Sequence, residues 1–333
     1  MSIILPFPEE PLLLAYHNKA FPVGVIQANS KANITLWLAL KTVNCMFNTQ
    51  AFRNKFELCL NDPWGIKANI IEQQGVNLRK ETFRSLNIDF IEFFKSMIRS
   101  GAYITGSFNE RFISGKADYQ VRDFDHDYLL IGSDDGGFYS AGYIKTGRFE
   151  KFYISNGELI DGLKNTTKNN KISFNLLNYN DNAELKIEYD KFLIDLDQYL
   201  TNPFISLNDE TNSKYYGIAA IRRLNKYFFE EIENGFVYID KRYSKSLEEH
   251  KKMMCISVSY FSEFTSNKSF YVSQSQKAYN LARIIHRLGF KITFVKDKTI
   301  YERINYYFRE MIEIELRYLS ELKDELEKRS FAE

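Results

Sequence analysis

Residues 128–165 constrain the fold more than any other part of this chain, because strand-like runs alternate there with turn signals. The apolar run "YLLIGS" (128–133) is typical of a buried strand, and the "DDGG" after it is typical of a hairpin turn. The runs "FYSAGYI" and "FEKFYIS" follow, separated by a second turn, "KTGR". Ser155 and Glu158 have the spacing of a capping box that starts a short helix. The pattern predicts a meander of three antiparallel strands closed by a helix.

The two halves of the chain differ in their predicted secondary structure, and this difference predicts two domains. The chain has 333 residues, which exceeds a typical single domain. Strand-like and helical runs alternate up to about Asp197, whereas the sequence reads as mostly helical from about Thr211. We therefore predict an α+β fold, with an antiparallel sheet in a domain over residues 1–205 and an α-helical domain over residues 206–333.

Helical periodicity and stop signals place further elements. A helical segment is predicted within 78–99 and ends before Gly101, and a linker-like segment covers 165–171. The run "ITLWLALKTVNCMF" predicts a helix that carries Cys45. In the second half the pattern predicts helices over 212–233, 246–266, 273–289 (with Gly289 as the C-cap) and 298–329.

Composition excludes several classes of partner. The formal net charge is only +1, so no bulk electrostatic argument favours nucleic acid or an anionic membrane. The three cysteines are too few and too scattered for a disulfide framework or a zinc motif. The N-terminus lacks a basic region and carries three prolines, which argues against a signal peptide. We expect a cytoplasmic protein that contacts neither nucleic acid nor membrane.

The segment "DFDHDYLLIGS" offers the clearest candidate for chemistry. His126 lies where a buried strand begins, at the rim of the predicted sheet, which is where a general base can be both rigid and reachable. A rim histidine that is bonded to a neighbouring carboxylate for purely structural reasons is the alternative. In an extended segment Asp123, Asp125 and Asp127 face one side, opposite His126. Those three carboxylates leave a second alternative open, a site for a hard cation.

Nucleophiles and cofactor motifs are less evident in the sequence. A free cysteine is the natural partner of a rim histidine, but Cys45, Cys59 and Cys255 all lie in core-like surroundings. His17 lies in a short, partly apolar N-terminal segment and remains a candidate. "GSDDGG" lacks the lysine and the helix of a phosphate-binding loop, so no cofactor is predicted.

The run from His126 to Leu163 resembles the N-terminal domain family named after the H protein of butirosin biosynthesis. That family is papain-like and is related to bacteriocin-processing peptidases, whose pattern is a histidine, an apolar strand, a turn and a second strand. Weaker similarity extends upstream to "NDPWGIKANIIEQQGVNL" and downstream to "YGIAAIRRL". The resemblance implies a papain-like first domain and a helical domain of the kind found in proteins of biosynthetic gene clusters.

The same resemblance implies a catalytic site. His126 would be the catalytic histidine, an acidic residue on the next strand would orient it, and a cysteine at the start of the first helix would be the nucleophile. Here no Asp or Asn lies between Phe138 and Tyr143, and residues 17–24, which match that helix start, contain no cysteine. Cys45 is then the remaining thiol candidate, and His17, Tyr139 and Tyr143 are candidate binding residues.

Three functions follow as expectations. The first is an accessory protein of secondary-metabolite biosynthesis, an acyltransferase or peptidase-like enzyme. With His126 as the base, it would transfer an acyl group from a carrier-protein thioester to a small amine. The second is a papain-like pseudoenzyme that acts as a binding or scaffold module. The third is a metal-dependent enzyme that uses Asp123, Asp125 and Asp127.

Overall fold

The computed structural model describes residues 2–49, 55–59, 70–86, 88–167, 171–201, 214–233, 235, 240–295 and 297–330. Its strands are β1 (Ile3–Ile4), β2 (Cys45–Asn48), β3 (Lys55–Leu58), β4 (Ile71–Arg79), β5 (Tyr103–Asn109), β6 (Asp125–Ser133), β7 (Gly137–Tyr143), β8 (Phe149–Ser155), β9 (Lys171–Tyr179) and β10 (Lys214–Tyr216). Its helices are α1 (His17–Asn29), α2 (Ile34–Lys41), α3 (Lys80–Leu86), α4 (Phe90–Arg99), α5 (Asn156–Lys164), α6 (Tyr189–Thr201), α7 (Gly217–Glu233), α8 (Lys241–Phe261), α9 (Lys268–Ile292) and α10 (Lys298–Ser330).

The chain forms two compact units, each assembled from two stretches of sequence. Unit 1 consists of Met1–Ala32 and Asp62–Glu184, and unit 2 consists of Asn33–Asn61 and Leu185–Glu333. The architecture is α+β with an antiparallel sheet and a helical C-terminal region, as the sequence predicted.

The antiparallel sheet of unit 1 is ordered β4-β9-β5-β6-β7-β8, and β1 pairs with the end of β6. The consecutive strands β6, β7 and β8 form the predicted meander, and the turn between β6 and β7 is held by Asp134 Oδ1, which accepts from the amides of Gly136 and Gly137 at 2.9 Å. The predicted capping box is confirmed, since Ser155 and Glu158 bond reciprocally at the start of α5. Helices α4 and α5 supply apolar side chains to a core with this sheet, among them Phe90, Phe94 and Leu159.

Unit 2 is mostly helical. The long helices α8, α9 and α10 pack side by side, and a short sheet ordered β10-β2-β3 lies beside α7 and α8. Apolar side chains recur along α10 at helical spacing, and Ile304, Phe308 and Met311 are fully buried. None of the helices in the described part of the chain is both long and apolar enough to cross a membrane.

The compact units divide the chain at positions that differ from the predicted domain boundary. The residues around position 205 lie outside the described ranges, and the compact units divide earlier, between Glu184 and Leu185. The segment 33–61, which the predicted secondary structure assigned to the first domain, belongs to the helical unit. The reason is that α2 packs on α8 and β2 pairs with β10, and neither contact has a local signal in the sequence.

Several element boundaries also differ from prediction. Cys45 is not on a helix: α2 ends at Lys41 and Cys45 begins β2. Gly289 is not a C-cap, because α9 continues to Ile292 and Gly289 instead allows close packing against Phe228 and Ser244 of unit 2. Gly101 does follow its helix with a positive φ of 94°, as predicted.

Candidate functional site

The centre of the candidate site is a hydrogen bond between His126 and Glu110. His126 is the second residue of β6, and its Nδ1 lies 2.7 Å from Oε1 of Glu110. Carboxylate oxygens accept hydrogen bonds, so Nδ1 donates and Nε2 becomes the basic nitrogen of the ring. The His126 side chain is 28% exposed whereas that of Glu110 is 5% exposed. A shielded carboxylate therefore orients an imidazole that solutes can reach.

The register of the sheet explains why these two residues meet. The pairing of β5 with β6 sets Phe108 opposite His126 and Asn109 opposite Asp125. Glu110, the residue that follows β5, therefore lies beside the first residues of β6. The Glu110 amide donates to the carbonyl of Phe124 at 2.8 Å. Sequence reasoning expected the orienting carboxylate on the strand after His126. The structure supplies it from the strand before, out of a 3-10 turn at Glu110–Phe112.

Two further predicted residues, His17 and Tyr143, meet at this site. His17 is the first residue of α1, and its ring centroid lies 4.4 Å from that of His126 at an interplanar angle of 82°. The ring of Tyr143, at the end of β7, lies 4.9 Å from that of His17. The Tyr143 hydroxyl donates to the carbonyl of Leu14, which fixes the segment that leads into α1.

Lys116 and Tyr128 also belong to this cluster, and sequence reasoning missed both. Lys116 is buried, its Nζ donates to the Tyr143 carbonyl at 2.5 Å, and it lies 4.0 Å and 3.9 Å from the ring centroids of Tyr128 and Phe152. Burial lowers the pKa of Lys116 to about 7, and the Glu110 carboxylate opposes that shift. The pKa of Tyr128 is raised far above its usual value, mainly by burial and secondly by the Glu110 carboxylate. A lysine in a polar loop carries no sequence signal of such surroundings.

Other predicted site residues lie elsewhere. Tyr139 is near the opposite end of β7, where its hydroxyl donates to Asp134 at 3.1 Å and so helps hold the hairpin turn. Cys45 is fully buried in unit 2, and burial raises the pKa of its thiol well above the usual value, so no thiolate is available there. All three cysteines of the chain belong to unit 2, and unit 1 contains no thiol.

Two of the three aspartates are bonded to different partners, and the third is exposed. Asp123 accepts from Asn109 Nδ2 at 2.9 Å, and Asp125 accepts from the amide and hydroxyl of Thr167 at 2.8 and 2.7 Å. Asp127 is exposed on β6. Among the residues that the structure describes, no group of three or more His, Cys, Asp or Glu side chains is arranged to hold a metal ion. The described geometry gives the metal hypothesis no support.

Comparison with known proteins adds no assignment. The sequence matches no protein-family model and no curated protein. The site itself combines a solvent-reachable imidazole near the start of the interior strand β6, a buried carboxylate that orients it, a second imidazole in edge-to-face contact with it, and a buried lysine beside them.

Proposed function

We propose that unit 1 is a papain-like domain that transfers an acyl group from a thioester to a small amine, with His126 as the general base. The observation that carries the proposal is the 2.7 Å hydrogen bond from His126 to the buried Glu110, which fixes the tautomer and leaves Nε2 as the proton acceptor. Glu110 is a positioning residue, because it acts through His126 and does not need to touch the substrate.

The substrate class comes from the resemblance to the butirosin H family. It implies an acyl group carried as a thioester on a carrier protein, and an accessory role in the biosynthesis of a secondary metabolite. Chemistry at the site is compatible with this class, because aminolysis of a thioester requires one proton to be removed from the attacking amine. A base that works near neutral pH is suited to that step.

A direct test uses purified protein, an acyl thioester of N-acetylcysteamine and a small primary amine, with amide formation followed by mass spectrometry. His126→Gln should lower the rate by about 10²- to 10⁴-fold, the range expected for loss of a general base. Glu110→Gln should lower it less, because the imidazole remains. His286→Gln is the matched control, since its side chain is 27% exposed and belongs to unit 2. Full activity in His126→Gln would overturn the proposal.

A second candidate function is a catalytically inactive binding module with a papain-like fold. The observation that favours it is the lack of any cysteine in unit 1, together with His17 at the start of the first helix, where the resemblance implies a cysteine. On this alternative the thioester or amine binds without turnover. Isothermal titration calorimetry would then detect binding while no amide forms in wild type or in any variant.

A further inference from the structure

The C-terminal end of α9 presents a small apolar patch to solvent. Phe290 is 47% exposed, Phe294 is 72% exposed and Val295 is 47% exposed. The two phenylalanine rings contact each other, with their centroids 5.1 Å apart. We infer that this patch and the cations beside it dock unit 2 on the surface of a membrane that contains anionic lipid. Docking at this surface does not depend on the proposed acyl transfer.

Hydrogen-bonded backbone holds the patch in place. Helix α9 ends at Ile292, and the amides of Phe294 and Val295 both donate to the carbonyl of Lys291, at 3.1 and 3.0 Å. The chain therefore turns tightly after the helix and keeps these side chains beside its last turn. Single exposed apolar side chains are ordinary on a protein surface, whereas adjoining ones indicate a surface that a partner covers.

Two exposed cations share a face of α9 with the patch. Arg287 lies three residues before Phe290 and four before Lys291, a spacing that directs these side chains to one side of the helix. The ring contact brings Phe294 to the same side. Within the described part of the chain, neither Arg287 nor Lys291 forms an ion pair with a carboxylate. The helix dipole favours a cation at this end, but it gives no reason for the adjoining aromatic side chains.

The charge of this segment differs from that of the whole chain. Residues 283–300 contain five lysines and arginines and one carboxylate, Asp297, whereas the chain has 44 lysines and arginines and 43 carboxylates. Asp297 accepts from the amide of Thr299 at 2.9 Å, at the start of α10. The nearly neutral net charge, from which the sequence predicted no contact with a membrane, therefore does not describe this end of unit 2.

A second copy of the chain fits this surface poorly. A two-fold contact would place the cations of one copy against those of the other, and like charges repel. A stable protein interface also buries about 800 Å² on each side, from about 20–30 residues, which three apolar side chains do not approach. An anionic bilayer needs less area, because aromatic side chains enter the headgroup region while lysine and arginine are attracted to the lipid phosphates and carboxylates.

The test is co-sedimentation of the full-length protein with vesicles of phosphatidylcholine and phosphatidylserine in equal amounts, compared with vesicles of phosphatidylcholine alone. The protein should sediment with the anionic vesicles, and salt at about 1 M should release it, because the Debye length then falls to about 3 Å. Arg287→Gln and Lys291→Gln should each weaken binding about fivefold. Phe294→Ser should weaken it about tenfold, because an aromatic side chain no longer enters the bilayer.

Two matched controls lie elsewhere in unit 2. Phe264 is 41% exposed and lies just before the other end of α9, a helix of 25 residues that is roughly 37 Å long. Lys252 is exposed on α8. Phe264→Ser and Lys252→Gln should bind the anionic vesicles as wild type does, so that loss of any exposed aromatic or cationic side chain is distinguished from loss of the patch.

A tryptophan variant keeps the test decisive if Phe294→Ser folds poorly. The fluorescence of Phe294→Trp, after subtraction of the wild-type signal, should shift to shorter wavelength on anionic vesicles, whereas that of Phe264→Trp should not. Absence of sedimentation with anionic vesicles, or full binding by a folded Phe294→Ser, would overturn the inference. A dimer in analytical ultracentrifugation that Phe294→Ser dissociates would also overturn it, since the patch would then face a second copy.

Discussion

Each unit contains a carboxylate bonded to a nitrogen donor, and the two pairs differ in exposure. In unit 2, Lys251 Nζ lies 2.8 Å from Glu315 Oε2 and 2.6 Å from the Tyr199 hydroxyl, and the lysine and glutamate side chains are both 0% exposed. In unit 1 only the carboxylate is enclosed, while His126 is 28% exposed. The hydrogen bonds are of similar length, so bond geometry alone does not distinguish a functional pair from a structural one.

Exposure of one partner is what makes the pair in unit 1 a candidate for chemistry. A fully enclosed ion pair can hold helices in register, but no substrate reaches it. Tyr199 adds its own hydroxyl to Glu315 at 2.8 Å, which closes the network further. By contrast, the network around His126 ends at a nitrogen on the rim of a sheet. Altering the pair in unit 2 should therefore lower mainly the stability of the protein, whereas altering the pair in unit 1 should lower mainly its activity.

The largest expected effect is on stability, from breaking the pair in unit 2. Lys251→Met leaves Glu315 and Tyr199 without their cation inside the protein, and loss of one partner of a buried ion pair costs about 3–5 kcal/mol. Urea denaturation should show this decrease in the free energy of unfolding. The neighbouring Lys252 is exposed, so Lys252→Met should change stability by no more than about 0.5 kcal/mol.

The double variant Lys251→Met/Glu315→Leu sharpens this test. Replacing a whole buried pair with apolar side chains is often neutral or stabilising, so the second substitution should recover much of the stability lost in the first. If Lys251→Met were as stable as Lys252→Met, the pair would not be the enclosed network described above, and the contrast between the units would fail.

The next effect concerns Lys116 and depends on pH. In the unfolded chain this lysine holds its proton up to its ordinary pKa of 10.5, whereas in the folded protein burial lowers the pKa to about 7. Between these values the unfolded state binds the additional proton, so stability rises with pH. Below about 7 both states are protonated and the contribution is constant. The rise contributed by Lys116 is at most roughly 5 kcal/mol.

Lys116→Met should remove that rise. The measurement is the free energy of unfolding at several pH values from about 6 to 10.5, compared with Lys145→Met, which alters an exposed lysine of the same unit. Other groups also titrate in this pH range, but they contribute equally to both variants, so the difference between the two curves isolates Lys116. Parallel curves for the two variants would show that Lys116 is protonated in the folded protein throughout.

The sequence was sufficient to predict features that depend on local chemistry. The hairpin turn at Asp134, the capping box at Ser155 and the helix end at Gly101 each follow from residues a few positions apart. The final helix, predicted over 298–329, is observed as Lys298–Ser330. These signals act between neighbouring residues, so they do not depend on how distant parts of the chain pack.

The remaining features depend on contacts between distant residues. Strand β9 begins at Lys171, at the end of the segment read as a linker, and it is stabilised by pairing with β4 and β5 far from it in sequence. Glu110 reaches His126 from 16 residues away, and only the register of β5 on β6 reveals it. No periodicity within a single segment carries that information, so the sequence could name His126 and His17 without joining them to Glu110 or Lys116.

The smallest expected effect compares two histidines by stability. His250 is fully buried in unit 2, where its Nε2 lies 2.8 Å from the carbonyl oxygen of Val43, and burial holds its pKa well below the usual value. His250→Gln should therefore cost about 1–3 kcal/mol, because a buried partner is lost. His126→Gln should cost about 1 kcal/mol or less, since the glutamine amide can still donate to Glu110 and the site is open to water. Thermal denaturation of both variants ranks them directly, and a larger loss for His126→Gln would mean that this imidazole is retained for folding and not for chemistry.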